Sequence, residues 1–557
     1  MSEPRENVLG AAGAMGAATF ISRIMGLVRE QVFAFMFGAG SAYDAYTIAF
    51  RMPNLLRDLF AEGAMSASVV PTFTRVRIEK GDRAAWRLAG LVFRSLLIVV
   101  GVLTCIGIFF SEQLVSFYAS AYKAIPGKFE LTVEMTRIMF PFFPFVVLAA
   151  GFMGILNACG KFFLPAFASA LFNIVSVVSG VTLALIFGQY GIEPIKGMAI
   201  GVVLGGAVQA LCQLPALYRA GYKWPAKTEK DLAWNHDPHL RNVMLLMLPG
   251  TVGLAATQVN VLINSILATS QGTGAVSWLN YAFRLMQFPI GVFGVSFAAA
   301  TLPLASQHWV KGDASKVTTL LGSSLRNVFA INLPAAAGLA FLSVPIIRML
   351  FEYGRFTSTD TLATAGALAA YAVGLPAYSA VKVLVPVCYA IGITRKAVTS
   401  SVLSVVVTIA LNLALINRLG YIGLALGTSA GAIFNALWLL FSIRSRIAEK
   451  GETLPIGAFL VNFLRHLVVA LLMGAACWFL LQQMDFYFSE AEWLNRFSTI
   501  SAAAMKIIFR TLKVSLLIGA GVLILLFLAK LTRLEETTEV VKIITKKVKN
   551  KLNRKSV

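Results

Sequence analysis

A chain of 557 residues with 58% hydrophobic and only 13% charged residues, and a mean hydropathy of +0.76, is not a soluble globular protein, since soluble domains carry about a quarter charged residues. The net charge of +22 is spread over alternate loops and the C-terminal tail instead of forming one patch, which argues against nucleic acid as a partner. Cys105, Cys159, Cys212, Cys388 and Cys477 form no CxxC pair and no metal-ligand spacing, so they read as small core residues, not as a disulfide framework or zinc site.

A bilayer core takes about 20 mostly apolar residues per helix, and such segments recur from Val8 to Lys530. They predict an all-α polytopic membrane protein with fourteen spans, at 8–37, 41–74, 88–110, 136–158, 163–187, 197–218, 242–269, 275–306, 321–349, 364–391, 397–417, 420–443, 457–482 and 508–530. The N-terminus MSEPRENVLG lacks the basic start, short apolar core and cleavage site of a removable signal, so the first helix is expected to remain. Lys and Arg gather at Arg75 to Arg87, Lys161, Arg219 to Arg241, Lys311 and Lys316, Arg395 and Lys396, and Arg444 to Lys450. The positive-inside rule then places both termini in the cytoplasm.

The chain resembles itself. GAGSAYDAYTIAFRMP (38–53) is similar to GTGAVSWLNYAFRLMQFP (272–289), and Pro144 and Gly160 fall on Pro376 and Gly392 at an offset of about 232 residues. Two pseudo-symmetric six-helix lobes are expected: 1–220 (spans 1–6) and 242–446 (spans 7–12), joined by a cytoplasmic linker at 221–241. Spans 13 and 14 (447–530) and a basic cytoplasmic tail (531–557) complete the chain. Parallel repeats of this kind are a transporter architecture, with the substrate between the halves.

The segment DAYTIAFRMPNLLRDLFAEGA (44–64) carries ionisable groups through an apolar run. Such groups avoid lipid and mark a bundle interior or a water-filled cavity. In a straight helix Asp44, Arg51, Asp58 and Glu62 lie within about 40° of one another. The first span adds Ser22, Arg23, Arg29 and Glu30; the eighth adds Ser277, Asn280, Arg284 and Gln287; and Lys382 sits within the tenth. Arginine outnumbers acid here, and its charged planar fork suits phosphate oxygens. An anionic, phosphorylated substrate is expected, unless the arginines pair with Asp44, Asp58 and Glu62 and only hold helices together. Arg57 has the further option of reaching lipid headgroups, and Lys382 that of neutralising carbonyls at the Pro376 and Pro386 kinks. No GxxxxGK[ST] loop, HExxH or Ser-His-Asp arrangement appears in the sequence, so an enzyme is not expected.

SRIMGLVRE (22–30), GAGSAYDAYTIAFRMPNLLRDLFAEGAMSASVVP (38–71) and YAFRLMQFPIGVFGVSFAAATLP (281–303) resemble the signature segments of the bacterial lipid II flippases, the MurJ/MviN family of the multidrug/oligosaccharidyl-lipid/polysaccharide exporter superfamily. The resemblance covers essentially the whole chain and implies export of an undecaprenyl-pyrophosphate-linked disaccharide pentapeptide, by alternating access, across the bacterial inner membrane. It implies substrate-site roles for Arg23, Arg29, Arg57 and Arg284, with Arg51 where members carry Arg or Lys, Asp44 and Glu62 at acidic positions, and Asn54 within PNLLR. It also implies a groove for the polyprenyl tail at the last two spans.

Two positions depart from the family: Phe283 and Gln287 stand where members often have acids, so the cavity here is expected to be more positive. Asn260, Asn264, Asn412 and Thr428 stand in the region where some members bind sodium through acids, so no metal site is expected. No cofactor is expected either; the membrane potential or an ion gradient supplies the energy. The protein is expected to act as a monomer among membrane lipids, with its tail on anionic lipid. A flippase for another lipid-linked oligosaccharide, a cation-coupled multidrug exporter and a non-transporting scaffold are the competing readings.

Overall fold

In the computed structural model every regular element among the described residues is helical. The structure describes residues 3–60, 66–222, 238–488, 490, 493, 502–534 and 536–537; Glu62, most of the expected linker and nearly all of the basic tail lie outside them. The chain divides into two compact units, Met1–Ser277 and Trp278–Val557.

The first unit holds α1 (Glu3–Phe37), α2 (Ser41–Arg57), α3 (Ser66–Phe109), α4 (Ser111–Tyr118), α5 (Lys128–Met139), α6 (Phe142–Ala158), α7 (Phe163–Gln189), α8 (Ile195–Leu211), α9 (Leu214–Arg219) and α10 (Pro238–Thr269). Helix α11 (Ala275–Pro289) straddles the division, which places α10 with the first unit. The second unit continues through α12 (Val295–Val310), α13 (Ala314–Phe341), α14 (Ser343–Phe351), α15 (Ser358–Ala390), α16 (Thr394–Ala448), α17 (Ile456–Tyr487) and α18 (Ala502–Leu531). Helices are what an apolar chain must form in lipid, because only there does each segment satisfy its own backbone groups.

Eight helices among the described residues are long and apolar enough to cross a membrane, or ten if two bent pairs each count once. The expected boundaries differ at several places. Helix α3 joins the end of the expected second span to the third, breaking at Gly81 with φ +82°; α16 joins the eleventh and twelfth, breaking at Gly420 with φ +57°. These are left-handed conformations that glycine adopts at no steric cost. The second span is not one straight helix, because α2 passes into a π-helical turn at residues 58–60. The expectation that all five cysteines are core residues holds only for Cys388 and Cys477; Cys105 is exposed, and the other two are half-buried.

The repeat is visible in the backbone of each unit. Phe109 ends α3 and Phe341 ends α13; Ser111 opens α4 and Ser343 opens α14; Ala158 ends α6 and Ala390 ends α15. All three pairs are 232 residues apart. Gly160 and Gly392, at the same offset, both turn left-handed with φ +74° and +77°.

In the first unit α7 and α8 meet along glycines. A methyl group on Gly201 would lie 2.6 Å from the Ser176 carbonyl oxygen and 2.7 Å from Gly180 Cα, and one on Gly197 would lie 2.4 Å from the Ala184 nitrogen. Small residues permit this backbone contact, a main source of attraction between helices in lipid. Gly201→Ala is expected to destabilise the protein by about 1–3 kcal/mol, read as a lower thermal midpoint in detergent. An unchanged midpoint would mean the seam yields without cost.

Candidate substrate site

In the first unit the phenol of Tyr43 donates to Glu30 Oε2 at 2.5 Å, and the ring of Phe33 lies 5.1 Å from Tyr43 and 4.4 Å from Tyr46. These contacts set α1 and α2 antiparallel, so Arg23, seven residues before Glu30, and Arg51, eight after Tyr43, stand at about one depth, about 10–12 Å along from the Glu30–Tyr43 bond. Both are half-buried. Arg29 is only 6% exposed. Its Nη2 donates to Glu30 Oε1 at 3.1 Å, and its guanidinium stacks 5.7 Å above the ring of Phe172. The carbonyl of Ser22 accepts from Asn173 Nδ2 at 3.3 Å, tying α1 to α7.

Asp44 is fully buried and all its acceptor capacity is used. Oδ2 accepts from Lys128 Nζ at 2.8 Å and the Gly274 N–H at 2.7 Å; Oδ1 accepts from the Ser277 N–H at 3.0 Å and Ser277 Oγ at 2.6 Å. Lys128 is also fully buried, and its ammonium sits 4.0 Å over the ring of Tyr122. Asp44 therefore caps the N-terminus of α11, whose orphan N–H groups need an acceptor. A carboxylate so enclosed holds protein together and is not open to a ligand.

At the π-helical turn Arg57 donates through Nε at 3.0 Å and Nη2 at 2.5 Å to Asp58 Oδ1, while Asp58 Oδ2 accepts from Asn54 at 3.4 Å and Gln258 at 3.3 Å. Both Arg57 and Asp58 stay half-buried. Arg57 is thus ion-paired with its own neighbour.

In the second unit Arg284, Gln287 and Lys382 are exposed. Helices α11 and α15 run side by side in one direction. The indole of Trp278 donates to Asp360 Oδ1 at 2.9 Å, the rings of Phe283 and Tyr371 meet at 5.4 Å, and Gly294 faces Lys382. Arg284 follows Phe283, and Lys382 lies eleven residues beyond Tyr371, about 16 Å further along. The Trp278–Asp360 bond is the repeat's counterpart of Asp44–Lys128, because Lys128 and Asp360 are 232 residues apart and α2 and α11 are the matching helices.

The second unit also contains an apolar cavity of about 730 Å³ walled by α13, α15, α16 and α17, with Phe329, Phe341, Leu437, Phe459 and Phe463 among its lining. Its size falls in the range of pockets that enclose a small ligand. Sequence reasoning missed Lys128, placed in a loop because the fourth span was begun at 136, and Phe172, whose apolar neighbours hide it. The signal for Lys128 was a lone cation 232 residues before an acid, Asp360, that opens a helix.

The sequence profile of the family described as "Lipid II flippase MurJ" matches residues 33–497. A protein of Burkholderia cenocepacia named "Lipid II flippase MurJ" is 33% identical over 496 residues, covering 89% of this chain and 94% of that protein. A protein of Bdellovibrio bacteriovorus named "Probable lipid II flippase MurJ" is 38% identical over 444 residues, covering 79% and 83% respectively. Among solved structures, one titled "Lipid II flippase MurJ, inward closed conformation" superposes with a TM-score of 0.74 at 27% identity, covering 94% of this chain and 99% of that one. An inward-facing multidrug transporter of the MATE family superposes at 0.65 with 16% identity, covering 79% of this chain and 99% of that one; this likeness is one of fold.

Proposed function

Because this chain belongs to the MurJ family of lipid II flippases, we propose that it carries lipid II from the cytoplasmic to the outer leaflet of the bacterial inner membrane for cell wall synthesis. The observation that carries the reading is a family match running through both arginine-bearing segments, 44–57 and 278–289. The reading includes fourteen spans, cytoplasmic termini, action as a monomer and transport with no catalytic step.

Exposed Arg284 and Lys382 supply cations for the pyrophosphate in the second unit; half-buried Arg23, Arg51 and Arg57 do so in the first. Arg29 contributes through its fixed position on Phe172, and Asp44 and Glu30 act by holding Lys128 and Arg29. Arginine is suited to this because its fork donates two parallel bonds to phosphate oxygens. The apolar cavity takes part of the polyprenyl tail, since burial of each methylene contributes about 0.8 kcal/mol.

Moving one charge through 100 mV is worth about 2.3 kcal/mol, so an inside-negative potential favours export of a substrate with about two negative charges. In cells where this protein replaces the resident flippase, lipid II is expected in the outer leaflet, and export is expected to fall when the potential is collapsed. Precursor trapped inside would overturn the flippase reading; export indifferent to the potential would remove the driving force from it.

A further inference from the structure

Arg510 of α18 is 8% exposed, one of the most deeply set charged side chains among the described residues. Its Nη2 donates to Glu352 Oε1 at 3.2 Å and Glu490 Oε1 at 3.0 Å, and its Nε to Glu490 Oε2 at 3.0 Å. Nη1 donates to the Glu352 carbonyl at 2.8 Å and the Arg348 carbonyl at 3.4 Å. The guanidinium also lies 5.2 Å over the ring of Tyr353. Glu352 is held in turn by Thr361 Oγ1 at 2.7 Å and Arg348 Nε at 3.2 Å. One side chain thereby gathers α18, the connection from α17, the end of α14 and the start of α15.

The place matters because α13 and α14 meet at a 75° bend. Just before it, Phe341 lines the apolar cavity and packs where a methyl on Gly474 of α17 would lie 2.5 Å from its ring. Helix α17 is the cavity wall that has no counterpart in the repeat. Its far end is tied to α18 by the Asp485–Lys513 pair, and α18 is tied to the bend by Arg510. A buried charge cluster is seldom a better source of stability than apolar packing, and its best-attested use is to fix one register.

We propose that Arg510 is a positioning residue for the lipid tail: it fixes α17 and α18 against the bent α13–α14 span and so sets the cavity in which part of a long polyprenyl chain lies. This rests on the flippase reading above. Only arginine offers donors on three nitrogens in one plane to two carboxylates and two carbonyls at once.

The test compares binding of two probes by the full chain in nanodiscs: lipid II with its undecaprenyl tail, and the same glycopeptide pyrophosphate on a farnesyl tail. In Arg510→Lys, affinity for the undecaprenyl probe is expected to fall about tenfold, the equivalent of one or two methylenes losing contact, while farnesyl binding changes by less than about twofold. Glu490→Gln, a milder loss from the same cluster, is expected to move the same ratio in the same direction and serves if Arg510→Lys does not fold. A parallel fall for both probes, or an unchanged ratio in folded variants, overturns the positioning role. Wild-type protein that binds neither probe overturns the flippase reading on which it rests.

Discussion

Arg284→Ala is expected to trap lipid II in the inner leaflet while leaving the protein folded and inserted. Arg284 is exposed on α11, so its removal takes no side chain out of the core. Truncating one partner of a desolvated charge pair costs about 2–5 kcal/mol, which is a loss of thirtyfold or more in the affinity it supports. Arg284→Lys keeps the charge and loses the fork, and an intermediate export rate is expected. The measurement is the leaflet distribution of lipid II at matched membrane levels. Full export by Arg284→Ala would move the pyrophosphate site away from α11. Arg29→Ala is a less clean probe, because it strips the guanidinium from Glu30 and mixes folding with binding.

The second large effect is expected at the Asp44–Lys128 pair. Asp44→Ala leaves a fully buried ammonium with the face of Tyr122 but without its carboxylate, and breaking a buried pair this way costs about 3–5 kcal/mol. It also uncaps α11, the helix that carries Arg284. A fall of about 3–4 °C in the thermal midpoint is expected, with export falling in proportion to folded protein. Adding Lys128→Met to the Asp44→Ala background is expected to recover part of the midpoint, since it removes the stranded charge. If the double variant is no more stable than Asp44→Ala, the pair is not the source of the loss.

Much of this was legible in the sequence, for stated reasons. The repeat offset of 232 residues came from short matches such as Gly160 with Gly392, and both glycines prove to occupy the same left-handed turn. Composition and apolar spacing were enough for an all-helical membrane fold. Helix ends were less legible: α5 begins at Lys128, and a cation at a helix start reads as loop unless its partner, eighty-four residues away in the chain, is known. The structural role of Asp44 was less legible too, because Lys128, Gly274 and Ser277, which hold it, come from distant segments of the chain. The cluster around Arg510 was not legible at all, since its acceptors are two carboxylates and two main-chain carbonyls from distant segments.

The joint between matching helices occupies the same place in both halves while its chemistry differs. In the first half a carboxylate on α2 meets an ammonium on α5; in the second, an indole on α11 meets a carboxylate on α15, which Thr357 also holds through a capping box. The first joint buries an ion pair, whereas in the second a half-buried carboxylate accepts from an indole and from its own helix cap. The two halves are therefore chemically distinct at matching joints, and swapping one half's joint into the other would set a charge beside the wrong neighbour.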